Sequence, residues 1–164
     1  MKKTRDNSNV PALDPDVFWR FSISLYGESS IKELCLSLQD QHSADVNLML
    51  LYVWLDQQNI SITSPERESL EALSNEWQTH WLHPLRKQRK TLGRTAPEYK
   101  AILQQELELE RREQQALIQC ANAFNLTRQQ QTITTYRNIN MYLSKIGSPP
   151  DIYLAFKKYA ENII

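Results

Sequence analysis

Apolar residues recur at intervals of three and four along most of this chain, and helix start or stop signals bound most of these stretches. Phe18, Phe21 and Leu25 share one face of a first helix, with Val17 beside them and Trp19 on the flank. Asp14-Pro15 opens it, since Asp accepts free N–H groups and Pro suits the first helical position; Gly27 closes it. Ile31, Leu34, Cys35 and Leu38 mark a second helix over 31–41, opened by Ser29-Ser30. The third, over 44–57, differs in kind. Its run Leu48-Met49-Leu50-Leu51-Tyr52-Val53-Trp54-Leu55 is apolar almost all the way round, so neighbours must surround it. Ser43 starts this helix, and Asp45 falls in its first turn, where the charge complements the helix dipole.

Ser64-Pro65 opens a fourth helix, with Arg67 standing where Glu would complete a capping box. Leu70, Leu73, Trp77, Trp81 and Leu85 follow on one face, which places both tryptophans in the core. Pro84 lies inside that pattern and predicts a kink or a new start, because it lacks an N–H and clashes with the preceding turn. The segment breaks at Gly93, and Ala96-Pro97-Glu98 begins a long fifth helix that runs to Phe124. Its stripe of Leu103, Leu107, Leu117, Ala121 and Phe124 lapses between Glu108 and Gln115, so that middle turn projects into solvent or meets another polar surface. Residues 127–146 read as a sixth helix through Ile133, Tyr136, Leu143 and Ile146, although 132–136 has strand-like propensity. After Gly147-Ser148-Pro149-Pro150, a last amphipathic helix over 151–162 sets Ile152, Ala155, Phe156, Tyr159 and Ile163 on one side.

These elements predict an all-α fold: a single-domain helical bundle of about six to seven helices around the nearly all-apolar 44–57 segment. Residues 1–13 read as a flexible tail, 14–146 as the bundle, and 147–164 as a proline-hinged helix docked on it. The 164-residue length suits one core, and 41% hydrophobic with 23% charged residues excludes wholesale disorder. Three glycines disfavour a many-turned all-β fold. Nineteen basic residues balance nineteen acidic ones, which removes any general electrostatic case for nucleic acid or an anionic membrane. The longest apolar run, 48–55, falls far short of the roughly 20 residues of a membrane span. The N-terminal MKKTRDNSNV lacks the apolar stretch of a signal peptide. Cys35 and Cys120 each fall in an apolar helical pattern, and two buried free thiols suit a reducing, cytoplasmic setting.

Candidate chemistry gathers at the head of the central helix. Arg20, Asp40, Asp45 and Asn47 lie in or beside apolar faces, and the turn between the second and third helices brings Asp40 near Asp45. Buried charge needs a partner, so Arg20 is expected to bridge the carboxylates and Asn47 to tie a neighbouring backbone. The set serves either as a network that fixes helix register or as a polar ligand site. With His42, the two carboxylates also offer donors to a divalent cation. Glu76, His80 and His83 share a face, but two histidines fall short of the ligand count of a zinc site, so no metal and no cofactor are expected.

Arg86, Lys87, Arg89, Lys90 and Arg94 lie in a stretch with no Asp or Glu between Glu76 and Glu98. This basic segment would contact a partner or phosphates, or be neutralised by Glu98, Glu106, Glu108, Glu110 and Glu113 of the next helix packed antiparallel. Trp77 and Trp81, if exposed, would add stacking platforms. There is no Gly-rich phosphate loop, nucleophile elbow or nucleotide fingerprint. The sequence thus makes no case for an enzyme. It favours a non-enzymatic interaction or adaptor protein with a protein partner at residues 86–94 and the last helix. A nucleic-acid or ribosome-associated binder using the same cations stands second, and a ligand-binding or enzymatic domain at Arg20, Asp40, Asp45 and Asn47 third.

Phe18-Trp19-Arg20-Phe21-Ser22, Leu38-Gln39-Asp40, Asp45-Val46-Asn47-Leu48 and Trp54-Leu55 carry a further signal. With Trp81-x-x-Pro84-Leu85-Arg86, Arg89 and Asn140-x-Tyr142-Leu143, they resemble a family of proteobacterial proteins of similar length whose function is uncharacterised. The resemblance spans 16–146, is densest over 18–55 and leaves the last helix outside. It implies a bacterial protein of about one domain and no particular activity.

Overall fold

The computed structural model describes residues 10–129 and 135–163. Within them the chain forms eight α-helices: α1 Pro15–Tyr26, α2 Ser29–His42, α3 Val46–Gln57, α4 Ser64–Trp77, α5 His83–Lys90, α6 Pro97–Asn122, α7 Arg137–Lys145 and α8 Pro150–Glu161. A π-helical turn, Gln78–Leu82, joins α4 to α5. The fold is an all-α bundle, as the periodicity predicts, and no described helix is long and apolar enough to cross a membrane.

Helix α3 is the axis. Every residue from Asn47 to Asp56 is buried, and α1, α2, α4, α6, α7 and α8 all pack against it. Its apolar circumference therefore has a partner on each side. Phe18 of α1 meets Trp54 of α3 with ring centroids 5.2 Å apart, and Tyr52 of α3 meets Tyr142 of α7 at 5.5 Å. Burying each large side chain contributes about 1.5–3 kcal/mol, and α3 buries every residue from Asn47 to Asp56.

Local signals set the helix ends, in several places one residue away from expectation. Ser43 adopts a left-handed conformation (φ 52°) and ends α2, so α3 begins later, with Asp45 as its N-cap. Thr63, not Ser64, caps α4. Glu66 then falls at the third helical position, and the capping box is complete: the Thr63 N–H donates to Glu66 Oε1 at 2.9 Å, and the Glu66 N–H donates to Thr63 Oγ1 at 3.4 Å. The expectation of Arg67 at that position is corrected by this shift.

At Pro84 a new helix starts, as the sequence predicts: α5 begins at His83 with Pro84 in its first turn, after the π-helical segment. The proline's missing N–H and its ring, which would strike the carbonyl one turn back, are accommodated by slipping the ladder: the His83 N–H donates to Gln78 O, five residues earlier. The extra residue rotates the following face. Gln78 and Leu82 turn inward, and Trp81 turns outward to 54% exposure. The core placement expected for Trp81 is thereby corrected, while Trp77 stays half-buried beside it, ring centroids 6.3 Å apart.

The sixth helix expected over 127–146 is shorter, Arg137–Lys145. Residues 127–129 run extended instead. Arg128 bridges Ile60, and the Gln129 N–H donates to Asn59 O at 2.8 Å. Residues 130–134, which hold much of the Gln run and of the strand-like stretch, lie outside the described residues, as do residues 1–9 of the expected tail. The end of that tail is held to the bundle: Leu13 is buried, its N–H donates to Asn122 Oδ1 at 2.7 Å, and Asn122 Nδ2 donates to Leu13 O at 3.0 Å.

The foot of α3 holds the last two helices. Asp56 is a cap supplied from a distance, accepting the N–H groups of Asn138 and Ile139 at the start of α7, both at 2.9 Å. Asn138 completes the joint, donating to Ile60 O at 2.7 Å and accepting the Ile62 N–H at 3.3 Å. Gln57 Nε2 donates to Ala160 O at 3.0 Å and also to Ile163 O, satisfying carbonyls at the end of α8. Gly147 makes the reversal between α7 and α8 at φ +76°, a conformation that disfavours a side chain. Phe156 and Ala160 of α8 are fully buried, and the helix packs on α2, α3 and α7.

Candidate functional site

The head of α3 carries a buried polar cluster. Asp45 Oδ1 accepts the Asn47 N–H at 2.9 Å, Oδ2 accepts the Ser74 hydroxyl, and the Asp45 N–H donates to the Tyr142 hydroxyl at 3.1 Å. Asn47 Nδ2 donates at 3.2 Å to both Glu110 O and Glu113 Oε2. Its Oδ1 accepts from Gln114 Nε2 at 3.0 Å, and Gln114 Nε2 also donates to Ser22 Oγ at 3.0 Å. The inward turn of Gln78 brings its amide to Glu113 Oε2 at 3.1 Å and its Oε1 to Arg86 Nη1 at 2.7 Å. Groups from α3, the π-helical turn and α6 thus meet around one carboxyl, that of Glu113, which is fully buried.

Glu113 cannot be an ordinary carboxylate. Burial, then the charge of Asp45 and the hydrogen bond to Asp45, push its pKa far above the usual range. Two carboxyls this close favour a proton held between them, which keeps Glu113 on the neutral side. Glu110, at the edge of the cluster, is also pushed up by burial. Arg86 opposes that shift, with Nη2 3.3 Å from Glu110 Oε1.

The structure divides the residues singled out from sequence. Asp45 and Asn47 are in the cluster. Arg20 and Asp40 are exposed, so the expected Arg20 bridge is not made. Arg20 is two positions from buried Phe18, and Asp40 two from buried Leu38; on a helix that offset turns a side chain off the packed face. The guanidinium of the cluster comes instead from Arg86 of the basic segment. Gln114, Gln78 and Ser74 carried no separate signal in the sequence, and Glu113 stood out only as one of the acids facing the basic segment. The trace of them was the lapse in the stripe of α6 between 108 and 115, which meets a polar surface at Glu113 and Gln114.

The basic segment is partly consumed by the fold. Arg86 pairs with Glu110, and Arg89 Nε donates to Glu106 Oε1 at 2.7 Å, while Lys87, Lys90 and Arg94 are exposed. His80 and His83 are exposed, and among the described residues no group of three or more His, Cys, Asp or Glu is placed to hold a metal. Cys35 is buried, which pushes its thiol up to about 12 and keeps it from ionising.

Beside the cluster lies a cleft of about 430 Å³ between α1, α3 and α6. Trp19, Ile23, Leu50 and Leu107 form apolar walls. Asp45, Asn47, Gln114, Arg86 and Glu110 give it a polar end. Ile23 and Leu107 leave 55% and 46% of their surface in solvent, unusual for large apolar side chains facing a common hollow. Arg111, at the mouth, lies 5.4 Å from the Trp19 ring and 3.5 Å from Asp16 Oδ1. An apolar hollow with a few convergent polar groups and a displaced carboxyl pKa is the usual form of a ligand pocket.

Fold and site define an all-α bundle with an amphipathic cleft over a buried polar cluster. The chain belongs to the family described as protein of unknown function (DUF2390), whose model matches residues 17–117. That span holds α1 but for its first two residues, α2 to α5, most of α6 and every cleft-lining residue named above, and it leaves α7 and α8 outside. No curated protein and no solved structure matches the chain.

Proposed function

We propose that the protein binds a small, largely apolar molecule in the cleft between α1, α3 and α6. The observation that carries this reading is the exposure of Ile23 and Leu107 across a hollow whose polar end is a hydrogen-bonded cluster. Such a hollow loses apolar surface to water when a ligand fills it, and the cluster holds its shape beforehand. It ranks above the adaptor reading because two cations of the expected contact surface, Arg86 and Arg89, are committed to Glu110 and Glu106.

N-phenyl-1-naphthylamine, a neutral dye that brightens in apolar surroundings, tests it. The full chain is expected to give a saturable rise in fluorescence. Ile23→Asp or Leu107→Asp should weaken the apparent Kd about tenfold or more at unchanged thermal stability, because both side chains are half in solvent and a charge in the wall repels an apolar guest. A linear, unsaturable signal, or variants that bind like wild type, would remove the proposal.

Nucleic-acid binding is the second reading, and the exposure of Trp81 favours it. The ring stands in a stretch that also exposes Lys87, Lys90 and Arg94. It predicts RNA binding that falls steeply with salt and is lost on combined substitution of Trp81, Lys87 and Lys90 by Ala. Gel-shift assays at two salt concentrations decide it, and salt-insensitive retention would count against it.

A further inference from the structure

We infer that the molecule held in the cleft carries a cationic N–H head group, a primary ammonium being the simplest, and that Glu110 is the carboxylate that receives it. This rests on the cleft reading above and adds the chemical class of the ligand.

Charge is the first support. Asp45 and Glu110 stand at the polar end of the cleft with Arg86, which Glu110 shares with Gln78. That end thus holds two acidic side chains to one guanidinium. Arg111, nearer the mouth, is turned to Asp16 and the Trp19 ring. An anionic head group would add to the excess of negative charge, and a cationic one offsets it.

Unused acceptors are the second support. Glu110 has one ion-pair partner among the described residues, Arg86 Nη2 at 3.3 Å from Oε1, and Arg86 makes its shorter bond, 2.7 Å, to Gln78. The Glu110 side chain keeps 33% of its surface open, which leaves Oε2 to a donor from the cleft. One turn further along α6, Gln114 is 1% exposed, and its Oε1 has no hydrogen-bond partner although its amide nitrogen has two. Residues 107, 110 and 114 share a face of α6, so the apolar wall and both acceptors lie along one line. Burial already pushes the Glu110 carboxyl up, and a cation beside it reverses that shift.

Three probes with one body separate charge from shape: tryptamine carries an ammonium, 3-ethylindole no polar head, and indole-3-propionate a carboxylate. Calorimetric titration of the full chain is expected to give tryptamine a Kd about tenfold below that of 3-ethylindole, with the propionate weakest. Glu110→Gln should bring tryptamine to the level of 3-ethylindole and leave 3-ethylindole unchanged, while Glu110→Asp keeps the preference; a thermal melt of each variant reports its folding. Equal affinities, tightest binding of the propionate, or failure of tryptamine where the naphthylamine dye binds overturns the inference and leaves the cleft reading standing. Failure of all three probes and of the dye removes both. If Glu110→Gln does not fold, the ranking of the probes on wild type decides the matter.

Discussion

Glu113→Ala is expected to lower the free energy of unfolding by about 3–5 kcal/mol, whereas Glu113→Gln is expected to cost little at neutral pH. The alanine leaves a hole in a fully buried site, strips the acceptor from Gln78 Nε2 and leaves Asn47 Nδ2 with Glu110 O alone. Glutamine reproduces the neutral acid. Its amide nitrogen donates toward Asp45 and its oxygen accepts from Asn47 and Gln78. The sign of the pH effect follows. The folded-state pKa of Glu113 lies far above its unfolded value, so the stability it contributes is fully present below about pH 4 and declines steadily as pH rises from there toward about 11. Urea denaturation from pH 5 to pH 9 should show Glu113→Gln gaining on wild type by up to about 1.4 kcal/mol per pH unit. A constant difference between the two proteins across that range would mean that Glu113 is ionised, and the proton-sharing account of the cluster would be wrong.

The second large effect is expected at the other end of α3. Asp56→Ala should cost about 2–4 kcal/mol near pH 6, because it removes both acceptors from the buried start of α7. Asp56→Asn keeps one acceptor but turns an amide donor toward the second N–H, so an intermediate loss is expected. Burial raises the Asp56 pKa to about 7 against the opposing pull of the Asn138 and Ile139 N–H groups. The added stability of wild type is therefore whole below the ordinary Asp value, near about 4, and is lost as pH rises through about 7. The gap between Asp56→Ala and wild type should narrow over that window. Hydrogen exchange in α7 is the direct readout: the alanine should speed exchange of the Asn138 and Ile139 amides before those of α1. Uniform acceleration across the molecule would argue against a local joint.

Much of the bundle was legible because its signals are local. The spacing of Phe18, Phe21 and Leu25, the Asp14-Pro15 start and the Gly147 break each act within a turn or two, and the helices follow them closely. Errors came where two local signals competed. At 63–67 the chain offered two hydroxyl caps, and the one that let Glu66 close the capping box prevailed. At 78–82 the three-and-four pattern pointed Trp81 inward, but Pro84 forced a slipped ladder, and the exposed tryptophan follows from that one-residue shift. At 127–129 helical spacing was overridden by pairing with residues 59 and 60, a partner far away in the chain.

The candidate site was half legible. Asp45 and Asn47 stood out as polar residues heading an otherwise apolar helix, and a polar group there must find partners. Which partners it finds was hidden, because Ser74, Gln78, Glu110, Glu113 and Gln114 arrive from other helices and look like ordinary surface residues in sequence. Arg20 and Asp40 looked equally suited and lie in solvent, since each sits half a turn from the face that packs.

The sequence alone determined the all-α class, the central position of the 44–57 segment and most helix boundaries, because periodicity and capping are properties of short stretches. Only the tertiary structure decided which charges are buried, that Glu113 shares a proton with Asp45, that Arg86 and Arg89 face inward, and that a cleft opens beside them. Those outcomes depend on distances between residues some 20 to nearly 100 positions apart, set by how whole helices pack, and no local pattern encodes such distances.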